Sequence, residues 1–148
     1  MRPQLCFFVA GLPKAQPRAK ARAFGKFAQV YNPKTADDWK MIVRNDARLA
    51  WEKSGNPCPW GGPLRVDLTF YFPRPKNHYR SNGELKPNAP KWHTAKPDRD
   101  NADKAILDTL TNLGIWGDDK QVCDGRIQKK YVPGGEAGCY IQISEADV

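Results

Sequence analysis

Apolar and polar residues alternate without a break from Leu64 to Phe72. Leu64, Val66, Leu68, Phe70 and Phe72 fall on one side, and Arg65, Asp67, Thr69 and Tyr71 on the other. A period of two over this length is that of a β-strand with one buried face, and Pro73 ends it. A shorter apolar run, Leu5, Cys6, Phe7, Phe8 and Val9, is closed by Gly11 and Pro13 and predicts a buried strand near the start of the chain. Elsewhere the period changes to that of a helix. Trp39, Ile42, Val43, Ala47, Ala50 and Trp51 predict one helix to about Lys53, with Thr35 as its cap and Asp38 answering three residues later. Ala102, Ala105, Ile106, Leu110 and Leu113 predict a second, capped by Asp100 or Asn101 and stopped at Gly114, where a left-handed cap belongs.

The rest of the chain connects these elements. Phe27, Val30 and Tyr31 predict a short second strand after a basic loop, and 54–63 reads as a Gly- and Pro-rich loop. The polar, Pro-rich stretch 74–97 predicts a long mobile loop, of the kind that is usually functional or disordered. Residues 121–132, the turn 133–138 and then Cys139, Ile141 and Ile143 predict a terminal hairpin. Together these predict one α/β domain over 1–148, an α+β two-layer sandwich with a mixed sheet and two main helices.

Composition narrows the partners. Lysine and arginine number 24 against 16 acids, a net charge of +8, so an unpaired positive field covers part of the surface and favours a polyanion. The mean hydropathy of -0.71 reflects this charge rather than a missing core, because 40% of the residues are hydrophobic. Cys6, Cys58, Cys123 and Cys139 are scattered, with only His78 and His93 to join them. Neither a zinc site nor a disulfide framework is spelled out, and the thiols are expected reduced and mostly buried. The run from Leu5 to Ala10 is too short for a signal peptide or a membrane span, so a cytoplasmic protein without a membrane partner is expected. Trp39 and Trp116 read as core residues, and His93 as an exposed loop histidine.

The positive charge is concentrated. Lys14, Arg18, Lys20, Arg22 and Lys26 follow one another with no acid among them, near Phe24, Phe27 and Tyr31. Arg74, Lys76, Arg80, Lys86, Lys91 and Lys96 face the single acid Glu84 and accompany Tyr79 and Trp92. Surface lysines are ordinarily only solvated, but two basic loops carrying aromatics suit a nucleic acid, with phosphates for the cations and bases for the rings. The DNA-binding candidates are Lys14, Arg18, Lys20, Arg22, Lys26, Arg74, Lys76, Arg80, Lys96 and Arg99.

Four carboxylates bracket the second helix, Asp98 and Asp100 before it and Asp118 and Asp119 after it. Mg²⁺ is usually held by one or two carboxylates, water and substrate phosphate. If the first segment is extended, 98 and 100 point to one side and can share a cation. Lys104 lies one helical turn beyond Asp100, in reach of a phosphate held there, and the helix N-terminus adds positive potential. This is a layout for phosphoryl transfer. Each piece also has a plain structural reading: Asp100 or Asn101 as a cap, and Gly117, Asp118 and Asp119 as a tight turn.

The series Lys96, Pro97, Asp98, Arg99, Asp100, Asn101, then Lys104, Asp108 and Leu110, then Gly114, Ile115, Trp116, Gly117, Asp118, Asp119, Lys120, Gln121 and Val122 closely resembles the signature of the RusA family of Holliday junction resolvases. Gly11, Leu12 and Pro13 with Pro17 and Arg18, Tyr31 to Lys34, and Phe70 to Phe72 with the following basic loop resemble the phage and prophage members. The resemblance implies a small α/β fold, a homodimer, and Mg²⁺- or Mn²⁺-dependent cutting of opposed strands at a four-way junction in DNA recombination and repair. It places the catalytic carboxylates on Asp98, Asp100 and Asp119, the essential lysine on Lys104 and a companion acid on Asp118. A nuclease for flaps, forks or other branched DNA in phage replication or packaging, and a nonenzymatic DNA-binding module, are the alternatives.

Overall fold

The structure is a computed structural model that describes residues 4–17, 20–24, 27–31, 34–55 and 59–146. Its elements are β1 (Gln4–Ala10), β2 (Lys20–Phe24), β3 (Phe27–Tyr31), α1 (Asp37–Lys53), β4 (Leu64–Phe72), α2 (Arg99–Leu113), β5 (Val122–Asp124), β6 (Ile127–Tyr131) and β7 (Gly138–Glu145). Short 3-10 turns occupy Lys76–His78 and Asp119–Gln121. The fold is the mixed α/β arrangement expected, a five-stranded mixed sheet with two helices. Among the described residues no helix is long and apolar enough to cross a membrane.

Strand β4 is central. All five apolar residues of its alternation are buried, and the strand pairs antiparallel with β7 on one edge and parallel with both β5 and β6 on the other. Strand β7 then pairs antiparallel with β1. Helix α1 lies against β1, α2 against β6, and the helices touch each other. The core between the layers contains Trp39 and Val43 of α1, Ile106 and Leu110 of α2, Ile141 and Ile143 of β7, and Trp116. Each fully buried Leu, Ile or Val stabilises by about 1.5–3 kcal/mol. The other sheet face is polar, with Arg65, Asp67, Thr69, Gln128 and Gln142 around one depression.

Several expectations are corrected. The last strands are no hairpin, because β4 lies between β6 and β7, and the run from Gln121 to Val132 breaks into β5 and β6. An apolar pattern shows which face is buried but not which neighbour a strand chooses. Strand β1 is an edge strand that leaves Cys6 and Phe8 exposed. Part of the first basic segment forms the separate β2–β3 hairpin. Helix α1 starts from Ala36 with no side-chain cap, so Thr35 does not fill that role, and Ile42 is exposed because Trp39, Val43 and Ala47 already fill the buried stripe. Helix α2 starts from Asp98 rather than Asp100 or Asn101, and ends at Gly114 in the left-handed conformation as expected. Of the described cysteines only Cys139 is buried, while Cys6 and Cys123 are exposed; Cys58 lies outside the described residues.

The stretch 74–97 is tied down rather than loose. Arg80 N bonds Glu84 O at 2.7 Å, Lys86 N bonds His78 O at 2.9 Å, and Tyr131 N and His93 N tie the stretch to β6 through Lys91 O and Lys129 O. His93 is not exposed: its ring stacks on Phe72 with centroids 3.9 Å apart and meets Tyr131 edge-on at 5.0 Å. Burial and the nearby Lys129 charge both hold its pKa below the usual histidine value, which favours the neutral ring.

The break between β5 and β6 rests on Gly125, whose φ is +141° and whose missing Cβ would collide with the Val66 carbonyl oxygen. Replacement Gly125→Ala is expected to cost at least about 2 kcal/mol, since neither this φ nor the close backbone approach suits a side chain. Urea unfolding checks it, and a loss below about 0.5 kcal/mol would contradict the assigned contact.

Candidate active site

A cis Lys96–Pro97 peptide leads into Asp98, whose extended backbone (φ −64°, ψ 151°) makes it the N-cap of α2. Its main-chain oxygen accepts from Ala102 N at 3.0 Å, yet its carboxylate makes no capping bond. Arg99 and Asp100 already belong to the first helical turn. The expected same-side alternation of 98 and 100 therefore does not hold, because helical rotation replaces the period of two. Both carboxylates are exposed. The positive end of the helix dipole favours negative charge at this position. Lys104 stands one turn beyond Asp100 as expected, with Nζ 3.4 Å from Asp108 Oδ1 one turn further on.

The second acidic loop is held by Gln121. Its Oε1 accepts from Gly117 N at 2.9 Å and Asp118 N at 3.2 Å, while Nε2 donates to Trp60 O at 3.1 Å and Gly62 O at 3.0 Å. Asp118 Oδ1 accepts from Lys120 N at 2.9 Å and caps the 3-10 turn, a bond that holds its carboxyl below the usual range. Asp118 thus has the structural role open to it as a turn residue. Asp119 follows as the first residue of that turn, half-buried.

Asp103 was not singled out from the sequence, and it is the most perturbed carboxyl on this face. Burial first, and then the negative charges of Asp100 and Asp119, push it up to about 6, against the opposing pull of Arg99 and Lys104. One carboxyl on α2 thus feels acidic charge from its own helix and from the loop after it. Its signal was present in the chain, three residues after Asp100 and so on the same helical face. Lys129 was missed likewise. It sits in β6 with Nζ on Ala95 O at 2.7 Å, and Asp98 is the charge acting on it. Burial pushes its pKa down and Asp98 draws it back up.

Beside Asp98 lies an open groove of about 640 Å³, lined by Lys14, Thr35, Lys96, Asp98 and Asn101 with Pro13, Pro17 and Pro97 as apolar walls. Gln16 N bonds Asn101 O at 2.9 Å and ties the N-terminal loop to α2 there. Of the DNA-binding candidates, Lys14 and Lys96 thus border the groove, and Arg99 opens α2. Lys76 and Arg80 are exposed in the long loop. Arg74 is spent internally: Nε donates to Val132 O at 2.8 Å, and Nη1 donates to Pro90 O at 2.7 Å and lies 3.3 Å from His78 Nδ1. Lys20 and Arg22 belong to β2, and Arg18 and Lys26 lie outside the described residues.

Among the described residues no three His, Cys, Asp or Glu side chains are gathered as a ready metal-ligating set. The donor chemistry nevertheless suits a hard cation. Asp98 and Asp100 are oxygen donors that accept no hydrogen bond among the described residues, and Mg²⁺ needs only one or two protein carboxylates beside water and phosphate.

No curated protein sequence matches the chain. The family model for endodeoxyribonuclease RusA matches residues 10–144, a span that takes in both acidic loops, α2, the groove and the whole of β4. A match over nearly the full fold, on a chain whose free carboxylates and basic groove suit phosphodiester chemistry, places this protein in the endodeoxyribonuclease RusA family.

Proposed function

We propose that this endodeoxyribonuclease is a metal-dependent, structure-specific enzyme that resolves Holliday junctions by paired symmetric nicks, acting as a homodimer in DNA recombination and repair. The observation that carries the reading is the pair of unpartnered carboxylates, Asp98 and Asp100, at the head of α2 beside a groove edged by lysines. The helix dipole favours acids at this end, but neither carboxylate makes a side-chain hydrogen bond among the described residues, so both keep oxygens for a ligand.

Asp98, Asp100 and Asp119 would hold Mg²⁺ or Mn²⁺, with the second oxygen of Asp118 left to join them while Oδ1 keeps its bond from Lys120 N. Such an ion lowers the pKa of a water and neutralises charge on the phosphate. The chain's own residues do the rest. Lys14 and Lys96 bind the backbone along the groove, the α2 N-terminus favours the phosphate's negative charge, and Lys104 swings from Asp108 to stabilise the charge that grows as the phosphodiester is hydrolysed. A two-fold dimer suits a four-way junction, whose two cleaved strands are related by the same symmetry.

Cleavage of a synthetic four-way junction, a flap and a linear duplex, read on denaturing gels, tests the reading. The junction is expected to be cut fastest and at symmetric positions. Asp100→Asn should lower cleavage by at least about 100-fold while junction binding is kept or tightened, because a charge that repels DNA is gone. Equal rates on all three substrates, or an active Asp100→Asn variant, would contradict the reading.

The raised Asp103 sets a pH dependence for the metal-free protein. From about pH 4 to 6 the unfolded chain gives up this proton while the folded chain keeps it, so stability falls as pH rises and levels off above that window. Asp103→Asn is therefore expected to gain about 1 kcal/mol at pH 7.5, after discount for partial exposure, and almost nothing at pH 4. Urea unfolding in EDTA at the two pH values checks it, and an equal gain at both would contradict the assignment.

A further inference from the structure

Trp92 is the most exposed aromatic side chain in the stretch 74–97, at 49% of its full exposure. Its backbone is nonetheless fixed. Trp92 bridges Lys130 in antiparallel register, and the flanking Lys91 and His93 bond Tyr131 N and Lys129 O at 2.9 and 3.0 Å. The stretch thus lies against the outer edge of β6 through one β-bridge. Facing residues of such a bridge leave the same side of the edge, so Trp92 and Lys130 share one face while His93 turns inward onto Phe72. The buried His93 stack locks the segment from behind.

The surroundings of the indole are cationic. Lys91 Nζ lies 5.4 Å and Lys130 Nζ 5.2 Å from its ring centroid. Glu84 is the only acid from Arg74 to Pro97. An exposed indole on a fixed backbone, with two ammonium groups over its ring, offers its π-face to a base once those cations move onto the flanking phosphates, the combination that holds single-stranded nucleic acid. A protein partner would have to bring acids to this strip, whereas DNA brings phosphates by its nature. Six residues separate Trp92 from Asp98, so their Cα atoms are at most about 21 Å apart. Lys129, which feels the Asp98 charge, and Lys130 leave opposite faces of β6, so the indole lies across this sheet edge from the carboxylates, and DNA that touches both passes over the edge.

We propose that Trp92 is a stacking platform for an unpaired or branch-point base, flanked by Lys91 and Lys130 as phosphate contacts, which lets the protein favour DNA with exposed bases over continuous duplex. This rests on the junction-cutting reading for its biological substrate, but the stacking is tested without cleavage. Binding of a labelled four-way junction, a single-stranded oligothymidylate and a linear duplex is measured by anisotropy in EDTA. Trp92→Ala is expected to weaken the junction and the single strand about tenfold, the loss of one base stack, and the duplex less than twofold. Trp92→Phe should recover most of the loss, and Lys130→Ala should weaken all three alike and lower the salt dependence.

An equal loss on all three DNAs with Trp92→Ala, or no loss on any, would overturn the proposal. So would a halved native mass of that variant in sedimentation, which would reassign the indole to a protomer contact. A wild type that does not prefer the junction to duplex would count against the junction reading alone, and the single-strand result would still decide the role of Trp92.

Discussion

Two strands, β5 and β6, run parallel to β4 along one edge, and parallel neighbours oblige the chain to leave the sheet and return between them. Helix α2 is that crossover. Its approach carries Asp98 and its return carries Asp118 and Asp119, so the topology itself sets acidic loops at both ends of one helix. The crossover is held where it re-enters the sheet. Gln121 uses both ends of its carboxamide to join the Gly117–Asp118 backbone to Trp60 and Gly62 just before β4. Gly125 then lets the chain pass against the Val66 carbonyl and continue along the same edge as β6. The same β6 supplies Lys129 to Asp98 and Lys130 to Trp92.

The electrostatics follow from this placement. The acids at the head of α2 are left without hydrogen-bond partners, and Asp103, pushed up to about 6 chiefly by burial, also feels the charges of Asp100 and Asp119. Cations gather around them rather than on them: Lys14 and Lys96 along the groove, Lys129 on β6, Lys104 held by Asp108. An acidic site that must accept DNA needs such a surround, since its own charge repels phosphate.

The alternation in β4, the buried stripe of α2 and its Gly114 stop were legible in the sequence, because each is a local pattern with one low-energy solution. The partner of each strand was not. Whether β7 returns to β6 or crosses to the far side of β4 depends on contacts between residues distant in sequence, and Cys139, Ile141 and Ile143 bury equally well either way. His93 misled for a related reason. A polar, Pro-rich stretch suggests exposure, but Phe72 and Tyr131 lie across the fold and enclose the ring. The carboxylates at the two ends of α2 were legible by type and spacing, whereas their geometry was not. Asp98 and Asp100 were expected on one side of an extended segment, and the helix begins one residue too early for that. Asp103 shows in the sequence only as a helical neighbour of Asp100; its burial, the chief cause of its raised pKa, depends on packing distant in sequence.

The account turns on acidic residues from both sides of the α2 crossover forming a single cation site. Binding of Mn²⁺ to the DNA-free protein, followed by electron paramagnetic resonance for wild type, Asp98→Asn and Asp119→Asn, addresses this most directly. The account predicts one class of Mn²⁺ site that is weakened about tenfold or more by either substitution, one on the approach to α2 and one on the return. Mn²⁺ binding unchanged in both variants would contradict it, and would leave the carboxylates as separate features of the two loops.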